Sequence, residues 1–455
     1  MLMTLHDAAL AMNGRLVGPS ADANLAFNRV STDTRSIQTG DLFIALHGDN
    51  FNGEAFVERA FNAGACAAVV TSWQDDLASA QIIVENTTEA LGRLAAAWRK
   101  LLGAKVVAIT GSCGKTSVKG MLRTICEQAG TVHATPKNLN NHIGVPLTLL
   151  AANETHDFLV VEAGTSAKGE IAYLSELICA DVAVVINVHP AHLQGFGTLA
   201  GIAKEKAEIY KHLNRDAQIV INEALLSYEP IAKQLQQSSV LLFTERDDTS
   251  LAVSASDERL NELSCAGFKL QLSGKAFEVQ LRVPGHHQLE NALAAAACSL
   301  AMGIDAASIV AGLELYCGEQ GRMQISKLGA ATLVNDSYNA NPASMKAAID
   351  YLSKQELSIL VLGDMAELGE DAEHIHREVG KYAALNGVDE LLAVGAFADD
   401  YCDAYGSKAK HFMNQNELVL YLQQRLSDGP TVLVKGSRSS SMDIVCRALQ
   451  QEEGQ

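Results

Sequence analysis

Short apolar runs rich in β-branched residues recur along the chain, each giving way to a glycine or polar turn and then to a helical period. Such alternation predicts parallel sheets with crossover helices. The sharpest case is the run at 106–110, which breaks at Gly111, passes Gly114 and re-emerges as a helix beginning near Thr116. FLVVEAG (158–164) and DVAVVINVHPAHL (181–193) read as further buried strands, the first ending in Glu162 and the second in His189 and His192. TPKNLNNHIGVPLTLL (135–150) is a polar loop that opens into a helix, and ENALAAAACSLAMG is an alanine-rich buried helix too short to span a bilayer. Upstream, DLFIALHG (41–48) predicts a strand, GEAFVERAFNAG (53–64) a helix with a glycine stop and CAAVV (66–70) a strand. Residues 85–102 predict a helix leading into the next unit. GFKLQLSGKAFEVQLRV, within 250–284, alternates apolar and polar positions about a Ser-Gly turn, as an antiparallel hairpin does. LSILVLGDM (357–365), ELLAVG (390–395) and TVLVKGS (431–437) predict strands, each followed by a helix. The expected organisation is therefore three α/β units, at 1–84, 85–314 and 315–455.

Composition narrows the class without naming a function. The 455 residues exceed one ordinary core, and 48% apolar with 19% charged residues is a soluble globular balance. A net charge of −18 argues against nucleic acid and anionic membrane surfaces, while a nucleotide with its metal ion remains compatible. The nine cysteines are scattered without a CxxC and read as reduced thiols. MLMTLHDAALAMNG lacks the basic start of a signal peptide. The expectation is a cytoplasmic monomer with no nucleic-acid partner and no membrane insertion.

The candidate chemistry sits at the glycine loop. Strand, glycine loop and helix form a phosphate cradle: backbone N–H groups approach phosphate oxygens, and the helix N-terminus adds positive dipole. Thr110, Gly111, Ser112, Cys113 and Gly114 form that loop, Lys115 reaches the β/γ-phosphates, and the Thr116 hydroxyl suits Mg²⁺. Ile109 stands where the longer phosphate loop has its first glycine, so this is the short GxxGKT form. Cys113 is either a small residue that fits or a reactive thiol. The alternative for the whole stretch is a glycine turn before a helix. Ligands gather at the carboxyl ends of parallel strands, where this chain offers a lysine, a threonine, a carboxylate and an imidazole. The loop STDTRSIQTGD (31–41) has two readings: a solvated turn, or a polyanion contact through Ser31, Thr34 and Arg35. Asn138, Asn140 and Asn141 likewise have two readings, as contacts to the substrate or as turn and cap residues. Glu373, His374 and His376 resemble a metal set, but the two histidines are two apart on a predicted helix, share no face and read as solvated.

Taken together, GSCGKTS, NLNNHIGVPLTLL, HLQGFGTLAGIAKEKAEIY, NDSYNANPASM, LGDMAELG and VKGSRSSSM resemble the Mur ligases, ATP-dependent ligases of peptidoglycan precursor synthesis. The likeness covers nearly the whole chain. It implies a UDP-sugar domain, a central parallel-sheet P-loop ATPase domain and a C-terminal Rossmann-like domain. It also implies UDP-N-acetylmuramoyl-tripeptide and D-alanyl-D-alanine as substrates, the tripeptide carboxylate being phosphorylated by ATP before the dipeptide amine attacks. By resemblance, Glu162 and His192 are metal ligands with Thr116, and Lys206 lies where relatives carry a carbamylated lysine. His287, Asn291, Arg322, Asp336, Tyr338 and Asn339 match nucleotide contacts. Lys435, Ser437 and Arg438, with Asp364 and Glu367, lie in stretches that would face the dipeptide. Departures are Lys137 for a glycine, Gln288 for an asparagine and Thr-Ser-Ala at 165–167. Competing readings are a sister ligase adding one amino acid, a nucleotide-dependent switch and a non-catalytic binding module. The DNPR-type acceptor sequence of the first and the NKxD motif of the second are absent, and the third leaves Lys115 and Glu162 unexplained.

Overall fold

The computed structural model describes residues 3–19, 21–48, 51–77, 79–190, 196–235, 239–261, 264–366 and 368–451. His192 and Glu367 lie outside the described residues. The chain divides into two compact units. One comprises Met1–Ser256, Lys269–Glu278 and Glu290–Leu313, and the other Asp257–Phe268, Val279–Leu289 and Glu314–Gln455.

The first unit opens with a five-stranded sheet in the order Arg15–Val17, Ala80–Ile83, Ala67–Val70, Asp41–Ile44, Arg29–Ser31. All its neighbours are parallel except the first pair. The strand expected at 41–48 stops at Ile44, because His47–Gly48 turns away to pair with Phe51–Asn52. The helix expected at 53–64 starts as a 3-10 turn and is α-helical over Val57–Asn62. Thr87–Arg99 forms the connecting helix, with the Asn86 side chain accepting from the N–H groups of Thr88 and Glu89. Its Trp98 indole donates to Ala152 O at 2.9 Å and its Arg99 to Asp181 at 3.2 Å, tying it to the central sheet.

The first six strands of that sheet, all parallel, run Val132–Ala134, Phe158–Glu162, Lys105–Thr110, Val182–Val185, Gln218–Asn222, Ser239–Thr244, and the next, Val253–Leu260, joins the last of these in parallel. Lys105–Thr110 is central, with Ile109 opposite Glu162 and Thr110 opposite Val185. This register brings the loop after Thr110 beside the ends of both neighbours. The third predicted strand is shorter than expected: it ends at Val185, and residues 186–190 run on as irregular chain. Three strands follow in sheet order, Val253–Leu260, Cys265–Leu272 and Lys275–Pro284. The last two form the predicted hairpin about Ser273–Gly274, whose φ values of 48° and 82° give a type I′ turn.

The second unit carries a six-stranded sheet ordered Gln324–Leu328, Ala331–Asp336, Thr431–Lys435, Ser358–Leu362, Glu390–Val394, Ala409–Phe412. Its first pair is antiparallel and the rest are parallel. The three predicted strands lie in its interior beside Ala331–Asp336; the hairpin at 324–336 and the edge strand at 409–412 were not foreseen. Its two faces bury separate clusters, one around Leu360, Met345 and Tyr401 and the other around Val361, Leu418 and Val445.

One expectation here is corrected. His376 is fully buried, while His374 is exposed as expected. Along the helix Ala372–Leu385, His376 shares the buried stripe with Val379, Gly380 and Ala383, at spacings of three, four and seven. Its Nε2 accepts from Met365 N at 2.9 Å, and its ring stacks on Phe397 at 4.3 Å. The periodicity of the whole helix, not the spacing of the two histidines, decided its place.

Candidate functional site

The glycine loop of the first unit is braced from the next strand. Ser112 N donates to Asn187 O at 3.2 Å, Cys113 N to Asn187 Oδ1 at 3.0 Å, and Ser112 Oγ to His189 O at 2.9 Å. Asn187, buried and absent from the sequence-based set, therefore fixes the loop. Gly114 caps the helix Lys115–Glu127 with φ +78°, in the left-handed region. A Cβ there would lie 2.2 Å from Asn291 Oδ1, so glycine is required twice over. That contact sets Asn291, buried on the helix His287–Ala301, against the loop.

Lys115 opens the helix and donates to Gly111 O at 2.7 Å across the loop. Thr116 Oγ1 donates to Glu162 Oε2 at 3.1 Å, and Asn140 Nδ2 to Glu162 Oε1 at 2.8 Å. Glu162 N in turn donates to Thr135 Oγ1 at 2.9 Å. Lys119, one turn beyond Lys115, stands 3.7 Å from Glu162 Oε2, the two side chains being 5% and 2% exposed. Lys119 was also missed, because a lysine on a helix reads as solvated by default. The Thr110 hydroxyl is buried beneath the loop with no hydrogen-bond partner.

The asparagines of the following loop divide between the two readings. Asn141 Oδ1 accepts from Gly144 N at 2.8 Å, in the turn that leads into the helix Gly144–Ala151, while Asn140 reaches Glu162 and Asn138 is exposed. Lys137, the departure from glycine, has φ +50°, a conformation that glycine adopts at least cost. Thr165, Ser166 and Ala167 are held by Glu170 Oε2, which accepts from Ser166 N at 2.7 Å and Ala167 N at 3.0 Å. Lys206 is buried on the helix Leu199–Ala207. Burial, reinforced by the charge of Lys115, pushes its ammonium down to about 7. Beside it, Glu205 accepts from Gly169 N at 2.8 Å and Ile171 N at 2.9 Å, fixing the start of the earlier helix Glu170–Ile178.

The donor set fits a magnesium ion. A hydroxyl and a carboxylate are hard oxygen ligands, and Mg²⁺ is held by few protein groups when phosphates complete its shell. Among the described residues no group of three or more His, Cys, Asp and Glu could hold a metal by itself.

In the N-terminal sheet, Ser31 is buried and its hydroxyl serves its own turn, accepting from Asp33 N at 3.2 Å. Thr34 is half-buried, and Arg35, 81% exposed, pairs with Asp33 at 2.6 Å. That guanidinium holds the Asp33 carboxyl down to about 2.

In the second unit, Lys435 Nζ donates to Asp336 Oδ2 at 2.6 Å and to Asn339 O at 3.0 Å. Asp336 Oδ1 accepts from Met323 N at 3.1 Å, and Arg322 lies 4.3 Å over the Tyr338 ring. His287 is exposed in the first turn of its helix. Asp364 accepts from Ala396 N at 2.8 Å and Phe397 N at 3.1 Å, so its carboxylate anchors a neighbouring turn. Ser437 is buried, and Arg438 is 70% exposed, 3.7 Å from Asp443.

Residues 109–299 match the model described as the Mur ligase middle domain, 321–438 the Mur ligase glutamate ligase domain, and 26–99 the Mur ligase family catalytic domain. The UDP-N-acetylmuramoyl-tripeptide–D-alanyl-D-alanine ligase of Escherichia coli (strain K12) is 38% identical, over 99% of this chain and 98% of its own. A crystal structure of MurF from Acinetobacter baumannii superposes with a TM-score of 0.91 at 31% identity, covering 99% of each chain. MurF ligase from Thermotoga maritima in complex with ADP gives 0.80 at 26% identity, over 93% of this chain and 97% of that one. With a relative this similar along its full length, the chain belongs to the Mur ligase family.

Proposed function

We propose that the protein joins D-alanyl-D-alanine to UDP-N-acetylmuramoyl-tripeptide at the expense of ATP, forming the pentapeptide precursor of peptidoglycan. The observation that carries this reading is the full-length match to relatives that bear this one activity in their name. The ADP complex of the Thermotoga maritima relative supports ATP as the nucleotide. Residues 1–84 would take the UDP-sugar substrate with Ser31, Thr34 and Arg35, 85–314 the ATP, with Asn138, Asn140 and Asn141 of its 137–141 loop meeting the same UDP-sugar substrate, and 315–455 the dipeptide.

Transfer of a phosphoryl group to the tripeptide carboxylate builds charge on the phosphoryl oxygens, and attack of the amine on the acyl phosphate builds it on a tetrahedral oxyanion. Lys115 supplies a cation to the first, and the loop N–H groups not held by Asn187, with the helix N-terminus, cradle the remaining phosphates. A bound Mg²⁺ would supply Lewis-acid stabilisation, held by Thr116 and Glu162. His192 and Lys206 complete the proposed set. For Lys206 the resemblance implies a carbamate: the neutral amine adds to the carbon of CO₂ and loses one proton, leaving an anionic oxygen donor. An ammonium lowered to about 7 favours that step, because half the amine is neutral there. Asn291, His287, Arg322, Asp336, Tyr338 and Asn339 are assigned to the nucleotide, and Asp364, Glu367, Lys435, Ser437 and Arg438 to the dipeptide side.

The decisive assay is phosphate release with UDP-N-acetylmuramoyl-tripeptide and each candidate amine. Turnover that needs both the tripeptide and D-alanyl-D-alanine supports the reading; turnover with a single amino acid transfers the chain to a sister ligase. ATP hydrolysis indifferent to both substrates returns it to a nucleotide switch. For Lys206, Lys206→Ala should be nearly inactive and partly rescued by acetate, whereas full activity without additive would remove the residue from the site.

A further inference from the structure

Lys119 serves no part of the reaction described above, yet it is buried at the centre of the site. It projects from the cradle helix one turn beyond Lys115 and three residues beyond Thr116, on the side facing Glu162. Its Nζ donates to Lys137 O at 3.0 Å and stands 3.7 Å from Glu162 Oε2. The first is a hydrogen bond; the second is an ion pair beyond hydrogen-bond reach. Glu162 spends its oxygens instead on two neutral donors, Thr116 and Asn140. A carboxylate this buried requires a counter-charge, and Lys119 supplies one without occupying the carboxylate's lone pairs. The Lys137 carbonyl it holds belongs to the residue with φ +50°, at the entry to Asn138, Asn140 and Asn141. Asn140 closes the circuit, donating to Glu162 and accepting from Gly164 N at 2.8 Å.

We propose that Lys119 is a positioning residue with two duties: it is the resident counter-ion of Glu162, and it anchors the 137–141 loop to the nucleotide cradle through the Lys137 carbonyl. The second duty rests on the reading that this loop receives the UDP-sugar substrate. The two duties have opposite signs on removal. A cation beside a metal carboxylate opposes a second cation, so losing it favours Mg²⁺. Losing the anchor frees the loop and weakens whatever binds there.

The test is calorimetry on the full-length chain and its Lys119→Met and Lys119→Arg variants, with binding as the readout. ADP is titrated at a series of MgCl₂ concentrations, and UDP-N-acetylmuramoyl-tripeptide is titrated separately. In Lys119→Met, the Mg²⁺ needed for half of its effect on ADP affinity should fall about fivefold, as loss of a nearby like charge requires. Affinity for the UDP-sugar tripeptide should weaken about tenfold, as expected for a lost charged hydrogen bond. Lys119→Arg, which keeps the charge, should return the Mg²⁺ requirement to within about twofold of wild type. If Lys119→Met does not yield folded protein, Lys119→Gln provides the same neutral comparison. Loss of both affinities together would leave Lys119 a purely structural role, and no change in either would remove it from the site. A shift in only one would overturn the claim that one residue serves both duties. Failure of the wild type itself to bind the UDP-sugar tripeptide would instead defeat the proposed function, while the ADP titrations still decide the counter-ion duty.

Discussion

Two carboxylates at the ends of parallel strands, Glu162 in the first unit and Asp336 in the second, each stand beside a buried lysine. At Asp336 the ammonium of Lys435 donates directly at 2.6 Å, and Met323 N takes the other oxygen at 3.1 Å. At Glu162 the ammonium of Lys119 stays 3.7 Å away, and a hydroxyl and an amide fill the oxygens. Neutral donors are exchanged for a cation far more cheaply than a touching counter-ion is displaced. A strand-end carboxylate is thus open to a metal cation when its counter-charge is held beyond hydrogen-bond distance, and closed to one when it is in contact. The sequence-based assignment had Asp336 with the nucleotide and Lys435 with the dipeptide; in the fold they are partners.

The largest effect that would sharpen this contrast lies beside the open carboxylate. Lys115→Ala should lower turnover by about a hundredfold or more, since electrostatic donors at a transition state contribute about 3 kcal/mol. Steady-state phosphate release within about threefold of wild type, only ~0.65 kcal/mol, would place the phosphates elsewhere. The closed pair should answer in stability. Lys435→Met leaves a largely buried carboxylate without its counter-ion and should cost about 3 kcal/mol in denaturant unfolding, with part recovered in the Asp336→Asn, Lys435→Met double variant. Equal stability of wild type and Lys435→Met would make the Asp336 site as open as that of Glu162.

A third expectation concerns pH. Lys206 is held down to about 7 against an ordinary value of 10.5, so between these values the unfolded chain carries a proton that the folded chain does not. Stability gains from this group as pH rises through that window, and its burial penalty is fully present below pH 7. The stability difference between wild type and Lys206→Met, followed by urea unfolding, should therefore shrink as pH rises from 7 to 10. A difference independent of pH would mean that Lys206 titrates normally. The smallest effects belong to the exposed arginines. Arg438→Ala should raise the KM for D-alanyl-D-alanine a few-fold and leave ATP unchanged, and Arg35→Ala should weaken UDP-sugar binding by a similar factor, as expected of solvent-exposed charges worth about 1 kcal/mol. A change confined to ATP would move Arg438 to the nucleotide side, and undiminished UDP-sugar affinity would leave the 31–36 loop a solvated turn.

Much of the fold was legible because its signals are local. The strand Lys105–Thr110, the loop and the helix Lys115–Glu127 follow from one apolar run, two glycines and a helical period. The hairpin about Ser273–Gly274 follows from alternation and one turn dipeptide. Strand ends were less legible: the run at 181–193 stays apolar past Val185, but the chain leaves the sheet to brace the phosphate loop. The strands Val132–Ala134 and Ala409–Phe412 escaped notice because they are short and only partly buried, so their apolar contrast is weak.

The sequence by itself determined the chemistry on offer: a short phosphate loop with Lys115 and Thr116, a carboxylate at the end of the next strand, and motifs that identified the family. Only the tertiary structure decided which polar groups are buried together. Asn187, 74 residues from the loop, accepts from Cys113 N through its side-chain oxygen; Asn291 stands against Gly114; Lys119 and Lys206 are withdrawn from water; His376 supports the turn at Met365. A lysine, an asparagine or a histidine carries the same letter in solvent and in a core. Its role depends on partners that chain crossings bring within 3 to 4 Å, and periodicity within one segment carries no information about them.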